Sequence, residues 1–76
     1  MKVTLESTSK IVDLNNGVQA RLWEGQTESG IEVHAFITRI SVHKDADVSQ
    51  FERELQTCKP PRADLAAVYP ARMFLP

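Results

Sequence analysis

Arg21, Trp23, His34, Phe36, Thr38 and Arg39 are the side chains of this sequence best suited to binding chemistry. They lie in two stretches, ARLWEG and VHAFITR, where an aromatic ring alternates with a cation or a histidine. An aromatic face stacks a planar base and a guanidinium neutralises a phosphate, each base stack contributing roughly 1–3 kcal/mol. The expected chemistry is recognition of a small nucleotide-like anion. Trp, Phe and Arg also anchor protein interfaces, and in so short a chain a packing or self-association surface is the simpler explanation. A ligand pocket built at a subunit boundary would satisfy both.

Other combinations of residues carry less. His43, Asp45 and Asp47 form H-x-D-x-D, a spacing that places hard ligands along an extended loop. Acids just before and at a helix N-terminus explain the two aspartates equally well, because the helix dipole favours negative charge there. Cys58 with His34 or His43 is the one nucleophile-base combination available by residue type. Its position near a helix C-terminus is the wrong end to stabilise a thiolate. Ser7 and Ser9 lack a nucleophile elbow, the glycines are too far apart to form a phosphate loop, and Glu52 and Glu54 point in different directions on a helix. The expectation is a protein that is not an enzyme, with no cofactor and no metal. Arg62, Arg72 and the Pro-rich C-terminus form a further candidate, in which Arg72, beside Met73, Phe74 and Leu75, suits an edge strand or an apolar-basic tail that meets a partner.

These residues must be positioned by a single domain of 76 residues, which buries only about 60% of the surface its unfolded chain exposes. Apolar residues at 42% and charged residues at 25% suit a soluble globular domain. Small cores are usually reinforced by disulfides, a structural metal or self-association. One cysteine allows no internal disulfide, so a homo-oligomer is expected. The formal charge of -1 and the scattered basic residues argue against binding duplex nucleic acid. The opening MKVTLESTSK has no apolar signal region, and no apolar run is long enough to span a membrane. The expected compartment is cytoplasmic.

Alternation of apolar and polar residues predicts an α+β fold, a three-stranded antiparallel meander over 2–43 with one short helix packed on one face. The alternation breaks between Leu5 and Val12, which predicts a bulge near Ser7 to Ser9 or two short strands. Asn16-Gly17 predicts a tight hairpin into a strand from Val18 to about Thr27, and Ser29-Gly30 predicts a second two-residue turn. That second turn would pair Leu22 with Ile37 and bring Arg21, Trp23, His34 and Phe36 onto one face. The third strand, beginning at Ile31, reads as the longest, with a bulge near Thr38 to Arg39 keeping Ile40 and Val42 on the core side. Asp47 caps a helix over about 47–57, with Gln50 completing a capping box and Val48, Phe51 and Leu55 on one face. The tail, 59–76, holds a turn of helix at Ala63 to Val68 and an edge strand at Ala71 to Leu75.

The run K-I-V, the Asn-Gly turn, A-R-L-W-E-G and then S-G-I-E-V-H-A-F-I-T-R resembles small accessory proteins of phage and prophage genomes, over roughly residues 2–42. The resemblance implies stoichiometric binding that antagonises host immunity. Sequestration of a cyclic nucleotide or an ADP-ribose-derived signal and blockade of a host defence protein are the two forms it suggests, both in the host cytoplasm. The alternative is an accessory protein whose aromatic face serves only oligomerisation or protein binding.

Overall fold

The computed structural model describes residues 1–14 and 17–62. Strands β1 (Val3–Asp13), β2 (Gln19–Thr27) and β3 (Glu32–Ile37) form one antiparallel sheet in the order β1-β2-β3, followed by helix α1 (Val48–Gln56). This is the expected α+β meander. The tail elements expected at Ala63 to Val68 and Ala71 to Leu75 lie outside the described residues.

The turns differ from expectation by one residue, and the difference matters. Thr27 N donates to Ile31 O and Gly30 N to Thr27 O, each at 3.0 Å, so Glu28, Ser29 and Gly30 together close the β2–β3 hairpin. Gly30 has φ 90°, the left-handed residue that a three-residue loop places after its first turn. The Thr27 hydroxyl accepts Ile31 N at 3.2 Å and lies 3.1 Å from the Ser29 hydroxyl, which favours the same loop. The β1–β2 connection repeats the bonding pattern. Leu14 N donates to Val18 O at 2.7 Å and Gly17, at φ 76°, donates to Leu14 O.

Because side chains alternate with period two, a one-residue slip exchanges the faces of a strand. Leu22 pairs with Phe36, not Ile37, and Trp23 pairs with Ala35. One face therefore carries Leu22, Glu24, His34 and Phe36, and the other carries Arg21, Trp23, Ala35 and Ile37.

The irregularity in β1 is a bulge within a single strand. Ser7 pairs with Trp23 and Ile11 with Arg21, so Thr8, Ser9 and Lys10 stand opposite Leu22 alone. Two extra residues leave the alternation unchanged, and Leu5 and Val12 stay on opposite faces. Thr8 fills the bulge with a fully buried side chain whose hydroxyl donates to Leu22 O at 2.8 Å.

β3 is the shortest strand, contrary to the expectation of the longest. Thr38 and Arg39 are consecutive polar residues, and the strand ends before them instead of bulging. Ile40 is consequently 45% exposed. α1 agrees with its expected span. Asp47 Oδ1 accepts Gln50 N at 3.0 Å and Thr57 N closes the last turn on Glu54 O. The Gln50 side chain accepts Arg53 Nη2 at 2.8 Å, so the return half of the capping box gives way to a pair along the helix.

Two glycine substitutions separate backbone from packing effects. Gly30→Ala meets open space and is expected to cost about 1–2 kcal/mol through its positive φ alone. At Gly25 a Cβ would overlap the Thr4 carbonyl and lie 2.9 Å from Leu5 Cα, so Gly25→Ala forces β1 away and is expected to cost at least about 1–3 kcal/mol. Urea denaturation compares them; a Gly25→Ala protein as stable as the parent contradicts the close β1–β2 approach.

Candidate functional site

The Trp23 face is covered by α1 only in part, leaving an open groove of about 350 Å³. It is lined by Ile11, Gln19, Arg21, Trp23 and Ile37 of the sheet, by the segment Thr38–Ile40 and by Phe51 and Leu55 of α1. The volume falls in the usual range for small-molecule sites, about 300–1,000 Å³. No residue of α1 is buried, and Leu55, which lines the groove, keeps 39% of its surface exposed.

Arg21 is half-buried and held at its tip. Its Nη1 donates to Thr8 O at 2.8 Å and lies 3.9 Å from Cys58 Sγ. A guanidinium has five N–H donors, and both bonds that Arg21 makes to described residues use Nη1, leaving Nε and Nη2 without one. Arg39 folds back, Nη1 donating to its neighbour's carbonyl, Thr38 O, at 2.7 Å. The groove thus combines one half-buried indole, two cations with donors to spare and an aliphatic wall.

Four of the six candidate residues meet here: Arg21, Trp23, Thr38 and Arg39. His34 and Phe36 do not join them. The pairing Glu24↔His34 and Leu22↔Phe36 puts both on the opposite face, which corrects the single aromatic surface expected from a two-residue turn. Phe51 and Leu55, read from sequence as a core-facing helix stripe, line the groove with them.

The opposite face holds a charged cluster that the sequence analysis did not identify. Glu24 is 5% exposed; its Oε2 accepts Arg62 N at 2.9 Å, and the Lys59 ammonium sits 3.4 Å from Oε1. Lys59 also lies 3.7 Å from Glu6, and the Arg62 guanidinium pairs with Glu32. The approach of Lys59 is too poorly aligned to count as a hydrogen bond to Oε1. Backbone bonds at the β1 bulge fix Lys59, Ser9 N donating to Lys59 O at 2.7 Å and Lys59 N to Ser7 O at 3.4 Å. The chain leaving α1 therefore crosses the β1 edge at the bulge and is bound to the far face by charge. Alternation gave a partial signal for this: Glu24 continues the row of Ala20 and Leu22 and so shares their face, although Val18 and Gln26 of the same row are exposed.

His43, Asp45 and Asp47 divide into local roles. The His43 ring accepts Asp45 N at 3.2 Å and Asp47 caps α1. Among the described residues, no group of three or more His, Cys, Asp or Glu converges on one point. Cys58 is exposed and unbridged. No described helix is long and apolar enough to cross a membrane.

Fold and site define a small α+β meander with an open sheet–helix groove. No protein-family model, curated protein or solved structure matches the chain.

The charged seam yields an asymmetric pair of mutations. Lys59→Met leaves the buried Glu24 carboxylate without its cation and is expected to cost roughly 1–3 kcal/mol, the range for an unsatisfied buried polar group. Glu24→Gln keeps an acceptor for Arg62 N and leaves Lys59, 43% exposed, with Glu6 and water, so it is expected to cost less. Chemical denaturation ranks the two, and the reverse order would contradict a seam organised around Glu24.

Proposed function

We propose that this chain is a non-enzymatic binding protein that takes a small nucleotide-type anion into the Trp23 groove. The observation carrying this reading is the meeting of the sole tryptophan with Arg21 and Arg39 in one groove of small-molecule size. The indole offers a stacking face to a base. The two guanidiniums offer charge and donors to phosphate. Gln19 and Thr38 add polar groups able to pair with base edges or sugar hydroxyls.

The resemblance to phage and prophage proteins supplies the setting. There the protein captures a cyclic nucleotide or an ADP-ribose-derived immune signal stoichiometrically in the host cytoplasm, as a sponge acting without turnover.

Titration of Trp23 fluorescence with cyclic AMP, a cyclic dinucleotide and ADP-ribose tests this reading. Saturable quenching by at least one is expected, and Trp23→Ala, titrated by calorimetry because the sole tryptophan is gone, should weaken that ligand by roughly 5- to 150-fold, the equivalent of one stacking contact. Failure of all three to bind, with nothing released on denaturing protein purified from infected cells, sinks the proposal.

A second reading rests on a separate observation. Ile11, Ile40 and Leu55 around the groove and Val48 on the same helix are each 39–51% exposed, an apolar rim suited to another copy of the chain or a host defence protein. Light scattering at micromolar concentration separates the readings. Dissociation of an oligomer by Leu55→Glu supports the rim as an interface, whereas a wild-type monomer that binds nucleotide removes the need for one.

A further inference from the structure

We propose that Thr8 is a positioning residue for the groove, acting through Arg21; the inference rests on the nucleotide-binding reading. A bulge leaves backbone groups outside the strand ladder, and the sheet uses one of them here. The Thr8 carbonyl accepts Arg21 Nη1 at 2.8 Å, while β2 faces the bulge with Leu22 alone. The Thr8 side chain is fully buried. Its hydroxyl donates to Leu22 O at 2.8 Å and accepts Lys10 N at 3.3 Å. One threonine thus ties the bulge to the residue after Arg21, and its own carbonyl ties the Arg21 tip to the bulge.

The consequence concerns direction. With Nη1 turned to Thr8 and Cys58, the Nε and Nη2 donors form the edge without a bond to any described residue. Two parallel N–H groups on one edge of a guanidinium make a fork that matches two oxygens of a phosphate. A guanidinium held in this way loses less rotational freedom when it takes an anion. Thr8 never touches the ligand. It decides which edge of Arg21 the ligand meets.

The test compares a phosphorylated ligand with an unphosphorylated one. Trp23 fluorescence titrations with ADP-ribose and with adenosine give a selectivity ratio for wild type, Thr8→Val and Thr8→Ser. Thr8→Val, which keeps the shape and the carbonyl but removes the hydroxyl that fixes the bulge to Leu22 O, is expected to weaken ADP-ribose by roughly 3- to 10-fold and adenosine by less than about 2-fold, loss of a neutral buried hydrogen bond being of that size. Thr8→Ser restores the ratio. A folded Thr8→Val protein with the wild-type ratio overturns the proposal, as does equal weakening of both ligands, which marks a purely structural role. If Thr8→Val does not fold, the wild-type protein decides: slow rotation of the Arg21 guanidinium, seen as resolved Nη resonances, is expected, and free rotation overturns it. Wild-type protein that binds none of ADP-ribose, cyclic AMP and a cyclic dinucleotide defeats the nucleotide reading itself and this inference with it; if one of the other two binds in place of ADP-ribose, that ligand takes its place in the ratio.

Discussion

The pairing of Thr27 with Ile31 across Glu28, Ser29 and Gly30 governs the composition of both sheet faces. A glycine at positive φ admits a third loop residue, and the third residue moves every partner along β3 by one. Trp23 is thereby placed beside Ala35 and Ile37, with room for a groove, while Phe36 goes to the side of Leu22. With the other register, His34 and Phe36 would crowd the indole and the apolar row of β3 would leave that face.

The register leaves the protein with apolar and polar groups on both faces and very little that is wholly buried. Among the described residues, Ala20 and Leu22 are the buried hydrophobic side chains. Each face is closed differently. Phe51 and Leu55 of α1 line the groove on the Trp23 face, and 57–62 is fastened to the other by Glu24, Lys59 and Arg62. A buried carboxylate is an expensive fastener, because its desolvation offsets much of the attraction to its partners. It also gives a specific position to a segment that has few apolar residues of its own.

The β1 bulge connects these two closures. It receives Lys59 on its outer edge, holds Arg21 from its Thr8 carbonyl and is itself filled by the Thr8 side chain. A change in this short stretch therefore reaches both the packing of the far face and the orientation of a cation in the groove. Binding and stability share one element of the fold.

Element types were legible in the residues themselves. Alternation over Val18–Thr27, the break between Leu5 and Val12, and Asp47 before a helical stripe are local signals, written into contiguous residues by backbone geometry. These identified three strands, an irregularity in β1 and the span of α1, and they drew attention to Arg21, Trp23, Thr38 and Arg39. Which of these side chains meet was a different matter. Register depends on how many residues a glycine turn absorbs, and Asn-Gly and Ser-Gly suit loops of two or three residues alike. The seam at Glu24 depends on contacts between segments far apart in the chain, since Arg62 and Glu24 are 38 residues apart. The sequence by itself determined the elements and their chemistry; the tertiary structure alone decided which side chains share a face.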